Sequence, residues 1–516
     1  MSIKMYKNYF LLIFLIFLVA LAVRFLYFPS NIYFGFDQAR DAFASLEIAN
    51  GQFKILGPPT SSEGLFHGAL YYYIYAPLYS LGGGDPAVAA AFLRVFNALG
   101  ILLAFGIGIT LFNKKAGLVA ALLFAFSFEQ SQFAIYLNHP AFGVISAIVM
   151  YFGLAVLIFK KRSWGWIVSF LGLGLSMQFE FILTYLVLTF LLILAIFRKD
   201  IKKPNIKTAI FSCLAFLLSV LTYILAEIKF NFRSLAALQQ LAVGSEKSAL
   251  DIVSTYLFEV DRMVKYNLTG NMEVDRLGMG ILLAAFIFCV KKFPNLRKQF
   301  IFLSIWFFSA LTIYIISGGA KDLNKTVPLY YPNMAVTVSL LIFTSFIIDK
   351  TYSFKKILGL VIVGIVIFNN LSLATSINSY GSMPEINVQS GMLLSDEKKV
   401  LDYIYQDSQG EPFAVKAITM PYLVNTTWSY LFEWYGKKTY GYLPVWGGEA
   451  ASGYSGNLEV QRAQDKLPDR RYLIIEPSRG IPAHLINNFL QEESYFSKVV
   501  EEKKIGEFTV QKRVRF

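Results

Sequence analysis

Phe34-Gly-Phe-Asp37-Gln-Ala-Arg40-Asp41 sets two carboxylates and a guanidinium at i, i+3 and i+4, a few residues after an apolar N-terminal segment. A carboxylate in that setting can take a proton from an attacking hydroxyl, and cations beside it can stabilise a departing phosphate. Downstream, Gly57-Pro-Pro-Thr-Ser-Ser-Glu63-Gly-Leu-Phe-His67-Gly-Ala-Leu-Tyr-Tyr-Tyr73 adds a histidine and an aromatic run. Further ionisable residues stand inside apolar stretches, where each is expensive and a functional candidate: Arg24, Arg94, Glu129, Glu180 and Glu227, with His139 at a helix end and Lys229 just past Glu227.

These groups have to be held by a membrane protein. The 516 residues are 56% hydrophobic and 16% charged, with mean hydropathy +0.52, whereas a soluble domain carries about 25% charged residues. Apolar runs of spanning length predict about eleven helices, near 8–28, 86–112, 115–137, 139–159, 163–178, 180–197, 207–226, 277–290, 300–316, 328–347 and 356–375. The first is too long, and lacks the small-residue site, for a cleaved signal peptide. With Lys4 and Lys7 inside, the loops on that same side carry Lys114-Lys115, Lys160-Lys161-Arg162, Arg198-Lys199 with Lys202, Lys203 and Lys207, Lys291-Lys292, Arg297-Lys298, Lys350 and Lys355-Lys356. Their only acids are Asp200 and Asp349, as the positive-inside rule requires.

That polarity places the N-terminus in the cytoplasm of a multi-pass plasma-membrane protein. The loop 29–85, the loop 228–276 and everything after 376 fall outside. The net charge of +13 is accounted for by the cytoplasmic loops and does not imply nucleic acid. The segment His67 to Leu81 is apolar enough to span but would invert every later loop. It is expected to lie at the outer interface or dip into the membrane, its tyrosines at headgroup level.

Three parts follow: a transmembrane domain over 1–375 whose outer loop 29–85 carries the acidic motif, a linker over 376–393 and an extracytoplasmic α/β domain over 394–516. The last is expected to hold helices over 394–405, with an N-cap serine, and 483–493, and strands over 412–419, 471–476 and 508–515. Trp428, Trp434, Tyr435, Tyr440 and Tyr442 make its middle aromatic; such rings fill cores or stack on sugars. Cys213 and Cys289 lie in apolar segments and give neither a disulfide framework nor a zinc pattern. No Walker loop, GxGxxG after a strand or GxSxG elbow occurs. Displacement on a donor that arrives in the membrane with its own leaving group, such as a polyprenyl-phosphate sugar, is the chemistry left.

The layout resembles the multi-spanning GT-C glycosyltransferases that use lipid-phosphate sugars: the protein O-mannosyltransferases, the aminoarabinose transferases of lipid A and, most closely, the rhizobial lipopolysaccharide glycosyltransferases. The likeness covers roughly residues 1–375. Phe36-Asp37-Gln38-Ala39-Arg40-Asp41 resembles their first-loop acidic motif, with Gln38 where many members carry a second acid. Phe66-His67-Gly-Ala-Leu-Tyr-Tyr-Tyr73 resembles the aromatic patch before their next helix. Gln178-Phe-Glu180, Glu227-Ile-Lys-Phe-Asn231 and Tyr330-Tyr-Pro332 fall where related chains place polar groups.

The resemblance implies a hexosyl- or pentosyltransferase acting by inverting single displacement. Asp37 would be the general base. Arg40, His67 and Lys229 or Arg94 would bind the donor phosphate, with Glu180 and Glu227 in the substrate cavity. Asp41 would orient Arg40 or help hold a divalent cation. The partners implied are a polyprenyl-phosphate sugar, membrane lipid and a glycolipid, polysaccharide or protein acceptor of the cell envelope. Spans and buried charges alone also suit a lipid-linked sugar flippase or transporter, although no paired, interrupted halves are visible. A non-enzymatic assembly or sensor protein would leave the acid cluster unexplained.

Overall fold

The computed structural model describes residues 3–60, 62–232, 234, 248–270, 272–317, 330–384, 386, 389–477 and 481–516. Its N-terminal half runs α1 (Ile3–Arg24), α2 (Phe36–Ala49), an antiparallel hairpin of β1 (Leu56–Pro59) and β2 (Phe66–Gly68), α3 (Leu70–Leu81), α4 (Pro86–Ala98), α5 (Gly100–Leu111), α6 (Lys114–Phe126), α7 (Phe128–Ile135), α8 (Pro140–Phe159), α9 (Trp164–Phe179), α10 (Leu186–Ile196), α11 (Ile206–Ser219) and α12 (Leu221–Lys229). Further helices cover Ala249–Val264, Met272–Lys292, Arg297–Phe307, Leu311–Ser317, Thr337–Phe354 and Lys356–Ile377.

Each expected span coincides with a helix or a pair of helices, although the start of 328–347 lies partly outside the described residues. Length and composition support fewer unbroken spans. Among the described residues three qualify, Pro86–Leu111, Pro140–Phe159 and Lys356–Tyr380, and up to six if each of three bent pairs is one span. Those pairs bend by 53° after Phe126, 59° after Ser219 and 106° after Lys292. At the first bend the Ser127 hydroxyl accepts from the Gln130 amide at 3.1 Å, restarting the helix as α7.

Small residues decide how α8 and α9 meet. Gly165, Ser169, Gly172 and Ser176 fall at spacings of four, three and four along one face of α9. A Cβ on Gly172 would stand 2.3 Å from the Met150 backbone nitrogen, and one on Gly153 2.5 Å from that of Ser169. The backbones therefore touch. Because α8 begins at Pro140 and α9 ends at Phe179, this contact also brings His139 beside Glu180.

Four of the five tyrosines of α3 turn into the protein rather than outward. Tyr71, Tyr72, Tyr75 and Tyr79 are buried against the protein, because the helix lays that face on its neighbours and leaves Leu81 exposed.

The C-terminal part is a six-stranded sheet in the order β5-β4-β3-β6-β8-β7, formed by β3 (Ala414–Ile418), β4 (Val445–Gly447), β5 (Val460–Gln461), β6 (Arg470–Ile475), β7 (Ser497–Ile505) and β8 (Phe508–Arg515). Strands β5, β4, β3 and β6 are parallel; β8 is antiparallel to β6 and to β7. Helices Leu394–Ser408 and Ala483–Phe496 lie where the sequence places them. The first is not capped by serine. Leu393 is its N-cap, and the Ser395 hydroxyl instead donates to the Ser30 carbonyl at 2.9 Å. The aromatic middle is largely structural. Trp428 is buried and donates to Glu476 at 2.9 Å, Tyr440 stacks on Tyr405 at 4.3 Å, and Tyr435 and Tyr440 both donate to Asp402.

Candidate functional site

The acidic motif forms the first turns of α2. Gln38 caps that helix: its side-chain oxygen accepts from the Gly35 amide at 3.1 Å, and its nitrogen donates to the Leu137 carbonyl at 3.1 Å. A glutamate there could accept the first bond but not make the second. So Gln38 fastens α2 to the segment leading into α8.

Arg40 lies between two acids. One of its terminal nitrogens is 2.7 Å from Asp37, and its Nε donates to Asp41 Oδ1 at 2.8 Å. The acids differ in environment. The Asp37 side chain is 46% exposed and that of Asp41 4%. Burial pushes the Asp41 carboxyl up to about 7, against the pull of Arg40, with Tyr72 beside it. Asp37 is thus the acid open to an incoming group, and Asp41 the one that holds Arg40 from below.

A second cluster joins three elements. β2 brings His67, the α7–α8 junction brings His139 and the end of α9 brings Glu180, all buried. Their ligand-capable atoms all lie within 4.8 Å of one another. His67 Nδ1 is 3.4 Å from one Glu180 carboxylate oxygen, His139 Nδ1 is 3.4 Å from the other, and the imidazole centroids are 4.0 Å apart. His139 Nδ1 donates to the Phe179 carbonyl at 2.7 Å, and His67 Nδ1 accepts from the Phe181 amide at 3.1 Å. Burial pushes His67 down to about 3, so its ring is neutral. Arg40 acts electrostatically on both histidines and Asp37 on His139, which puts the two clusters side by side.

Glycines make the approach of β2 possible. A Cβ on Gly68 would fall 2.2 Å from the Gln178 side chain, and one on Gly57 2.3 Å from the Gly68 carbonyl oxygen. Tyr223 of α12 closes the hairpin by donating to the Phe66 carbonyl at 3.1 Å.

Asp37, Arg40, Asp41, His67 and Glu180 are therefore brought together. Arg94 is not. Its guanidinium donates to the carbonyls of Arg24 and Ala90, each at 3.1 Å, and to the Asn31 side chain at 3.0 Å, and stacks over Phe28. Arg24 is likewise engaged with Asn97, Ala20, Ala125 and Phe124. Glu227 is half-buried on α12, and Lys229 is exposed over Phe230. Asp41 lies outside the His67–His139–Glu180 group. His139 belongs to the site although the sequence marks it only as a helix-end residue; its signal is that the chain has three histidines and two of them meet here. Glu129 sits apart, accepting from Asn267 at 2.6 Å and from Tyr330 at 3.3 Å.

The C-terminal part roofs the acidic helix. Phe34 and Phe43 pack on Tyr430, whose hydroxyl donates to the Gly84 carbonyl at 2.6 Å, and Phe36 meets Tyr454. Tyr331 donates to the Ile386 carbonyl and touches Tyr136. A groove of about 340 Å³ lined by Leu188, Leu192, Ile305 and Phe308 contains none of the candidate residues.

The dolichyl-phosphate-mannose-protein mannosyltransferase family profile matches residues 67–223. ArnT from Cupriavidus metallidurans bound to undecaprenyl phosphate superposes with TM-score 0.62 at 11% identity, over 96% of this chain and 97% of that one. Its apo structure gives the same values. The oligosaccharyltransferase AglB from Archaeoglobus fulgidus, in complex with an inhibitory peptide and a dolichol-phosphate, aligns at TM-score 0.48 and 13% identity over 86% of this chain and 65% of that one. No curated protein sequence matches. The fold is that of ArnT, an aminoarabinose-transferase-type structure of the kind the sequence resembles.

Proposed function

We propose that this protein is a membrane glycosyltransferase that moves a sugar from a polyprenyl-phosphate donor to a cell-envelope acceptor on the outer face of the membrane. The observation that carries this reading is the Asp37–Arg40–Asp41 arrangement on α2: an open carboxylate beside an arginine, under the C-terminal roof, in an ArnT-like fold. The undecaprenyl phosphate bound by ArnT supports a lipid phosphate as the donor's carrier.

In the proposed step an acceptor hydroxyl oxygen attacks the anomeric carbon. The carbon–oxygen bond to phosphate breaks with inversion. The hydroxyl proton passes to Asp37, and polyprenyl phosphate leaves with the bonding electrons. Arg40 neutralises charge growing on that phosphate, and Asp41 fixes its orientation. The one-sided basic loops and the outer position of residues 29–85 and 394–516 belong to this same reading.

The test is sugar transfer by purified, detergent-solubilised protein offered a panel of polyprenyl-phosphate sugars, with Asp37→Asn alongside. Transfer or donor hydrolysis that disappears in the variant supports the reading. A folded wild-type protein that neither binds nor turns over any donor counts against it, and flux in liposomes would then be measured.

A further inference from the structure

We propose that Lys416, Arg471 and Arg513, on one face of the C-terminal sheet, form a binding site for an oxyanion, the phosphate or carboxylate group of a larger molecule. The cavity they line shares no residue with the Asp37–Arg40–Asp41 arrangement or with the His67–His139–Glu180 cluster.

Strand register sets the three cations side by side. Arg471 of β6 stands directly opposite Arg513 of β8. Lys416 of β3 pairs with Leu473, two residues along from Arg471 and therefore on its face. Like charges directly opposite on neighbouring strands repel. Both arginines are nevertheless buried, 6% and 3% exposed, where a charge is costly unless paired.

Among the described residues neither arginine pairs with a carboxylate. Arg471 donates to the carbonyls of Pro468 and Gln464 and to the Gln464 side chain. Arg513 donates to the hydroxyl and carbonyl of Ser497 and to the Gln511 side chain. All of these acceptors are neutral. A guanidinium carries five N–H donors, so with three engaged each arginine keeps two more. Glu493 is the one acid lining the cavity, and the Lys416 ammonium already bonds to it. Three cations against one acid leave two positive charges uncompensated. Burial lowers both guanidinium groups from their ordinary value, and Arg515 lowers Arg471 further. An anion between the two forks would supply the missing charge and take the unused donors.

Size limits what enters. The cavity holds about 20 Å³ and is half-open, room for one or two water-sized atoms. An oxyanion fits it with one or two charged oxygens, its carrier staying outside.

The experiment is calorimetry on the full-length protein in detergent, at constant ionic strength, with sodium phosphate or sodium glucuronate replacing chloride. The expected result is one anion per chain at this site, bound about tenfold or more weakly in Arg471→Gln and Arg513→Gln. Glu493→Gln removes the one negative charge and should tighten binding. Arg40→Gln should leave that binding as it is. Arginines with a structural role alone would lower the Tm of their variants without making anion affinity depend on Glu493. Should either arginine variant not fold, Lys416→Gln, at a partly exposed position, takes its place and should also weaken binding. Binding of phosphate alone assigns the site to free phosphate or a phosphate ester, and binding of glucuronate alone to an acidic saccharide; either supports the proposal. Absence of binding by both anions, affinity unchanged in the Lys416 and Glu493 variants, or loss confined to Arg40→Gln overturns it. The last outcome would assign the anion to α2 and leave the transferase reading standing.

Discussion

The amide of Phe34 donates to the carbonyl of Met392 at 2.9 Å, three residues before Asp37. Leu394 returns the contact to the Ile32 carbonyl, so that Tyr33 and Leu393 pair as an antiparallel bridge. The segment that opens helix Leu394–Ser408 is thereby tied through backbone to the segment that enters the acidic helix.

Asp37→Asn is expected to lower transfer by about 10²–10⁴-fold, the usual range for loss of a general base. It should leave the fold unchanged, because the side chain is 46% exposed and Arg40 keeps Asp41 as a partner. Size-exclusion profile and Tm check the second point, and single-turnover transfer the first. Equal rates in the variant and the wild type would remove Asp37 from the mechanism.

Asp41 gives a pH signature. Its folded-state pKa of about 7 exceeds the unfolded value of about 3.9. Between those values the folded protein holds a proton that the unfolded chain has lost. Its contribution to stability is therefore most favourable below about pH 4, declines as pH rises, and is constant above about 7. The difference in Tm between wild type and Asp41→Asn should shift in the variant's favour over that window, by an amount equivalent to a few kcal/mol. A difference that does not vary with pH would show that burial leaves Asp41 unperturbed.

Much of this was legible in the sequence, because hydrophobic runs and one-sided basic loops are local signals. Strands β3, β6 and β8 were legible too, since their apolar residues alternate or run together. Strand β7 was not: Val499-Val500-Glu501-Glu502-Lys503-Lys504 is an exposed edge whose polarity matches a solvated loop, and only pairing with β8 defines it. That Asp37, Arg40 and Asp41 cluster could be read from the sequence, although not that they share one face of α2. The His67–His139–Glu180 group could not, because its members lie 72 and 41 residues apart and meet only through the small-residue contact of α8 with α9. For the same reason Arg94 looked like a free cation: nothing local reveals that Asn31 and the end of α1 occupy it.

That helix contact can be tested at Gly172. Alanine there would place a methyl 2.3 Å from the Met150 nitrogen, which is backbone and cannot step aside. Gly172→Ala should cost about 1–3 kcal/mol or more through overpacking. Gly364→Ala, in a helix with nothing within 4 Å of the new methyl, is the control. It should be neutral or stabilising by about 0.5–1 kcal/mol. Thermal unfolding of the two variants separates steric clash from helix propensity.

Arg94 separates a structural cation from a donor-binding one. It is fully buried and divides its bonds among the Arg24 carbonyl, the Ala90 carbonyl and Asn31, while Arg24 in turn holds Asn97 and the end of α6. Removing it leaves several buried acceptors unpartnered, each worth about 1–3 kcal/mol. Arg94→Ala should therefore lower Tm sharply, and Arg94→Lys should recover only part of the loss because one ammonium cannot span all three partners. At a temperature where the lysine variant stays folded, its KM for the lipid-phosphate donor should match that of the wild type, whereas Arg40→Lys should raise that KM. A raised KM in Arg94→Lys with unchanged Tm would return Arg94 to the donor site.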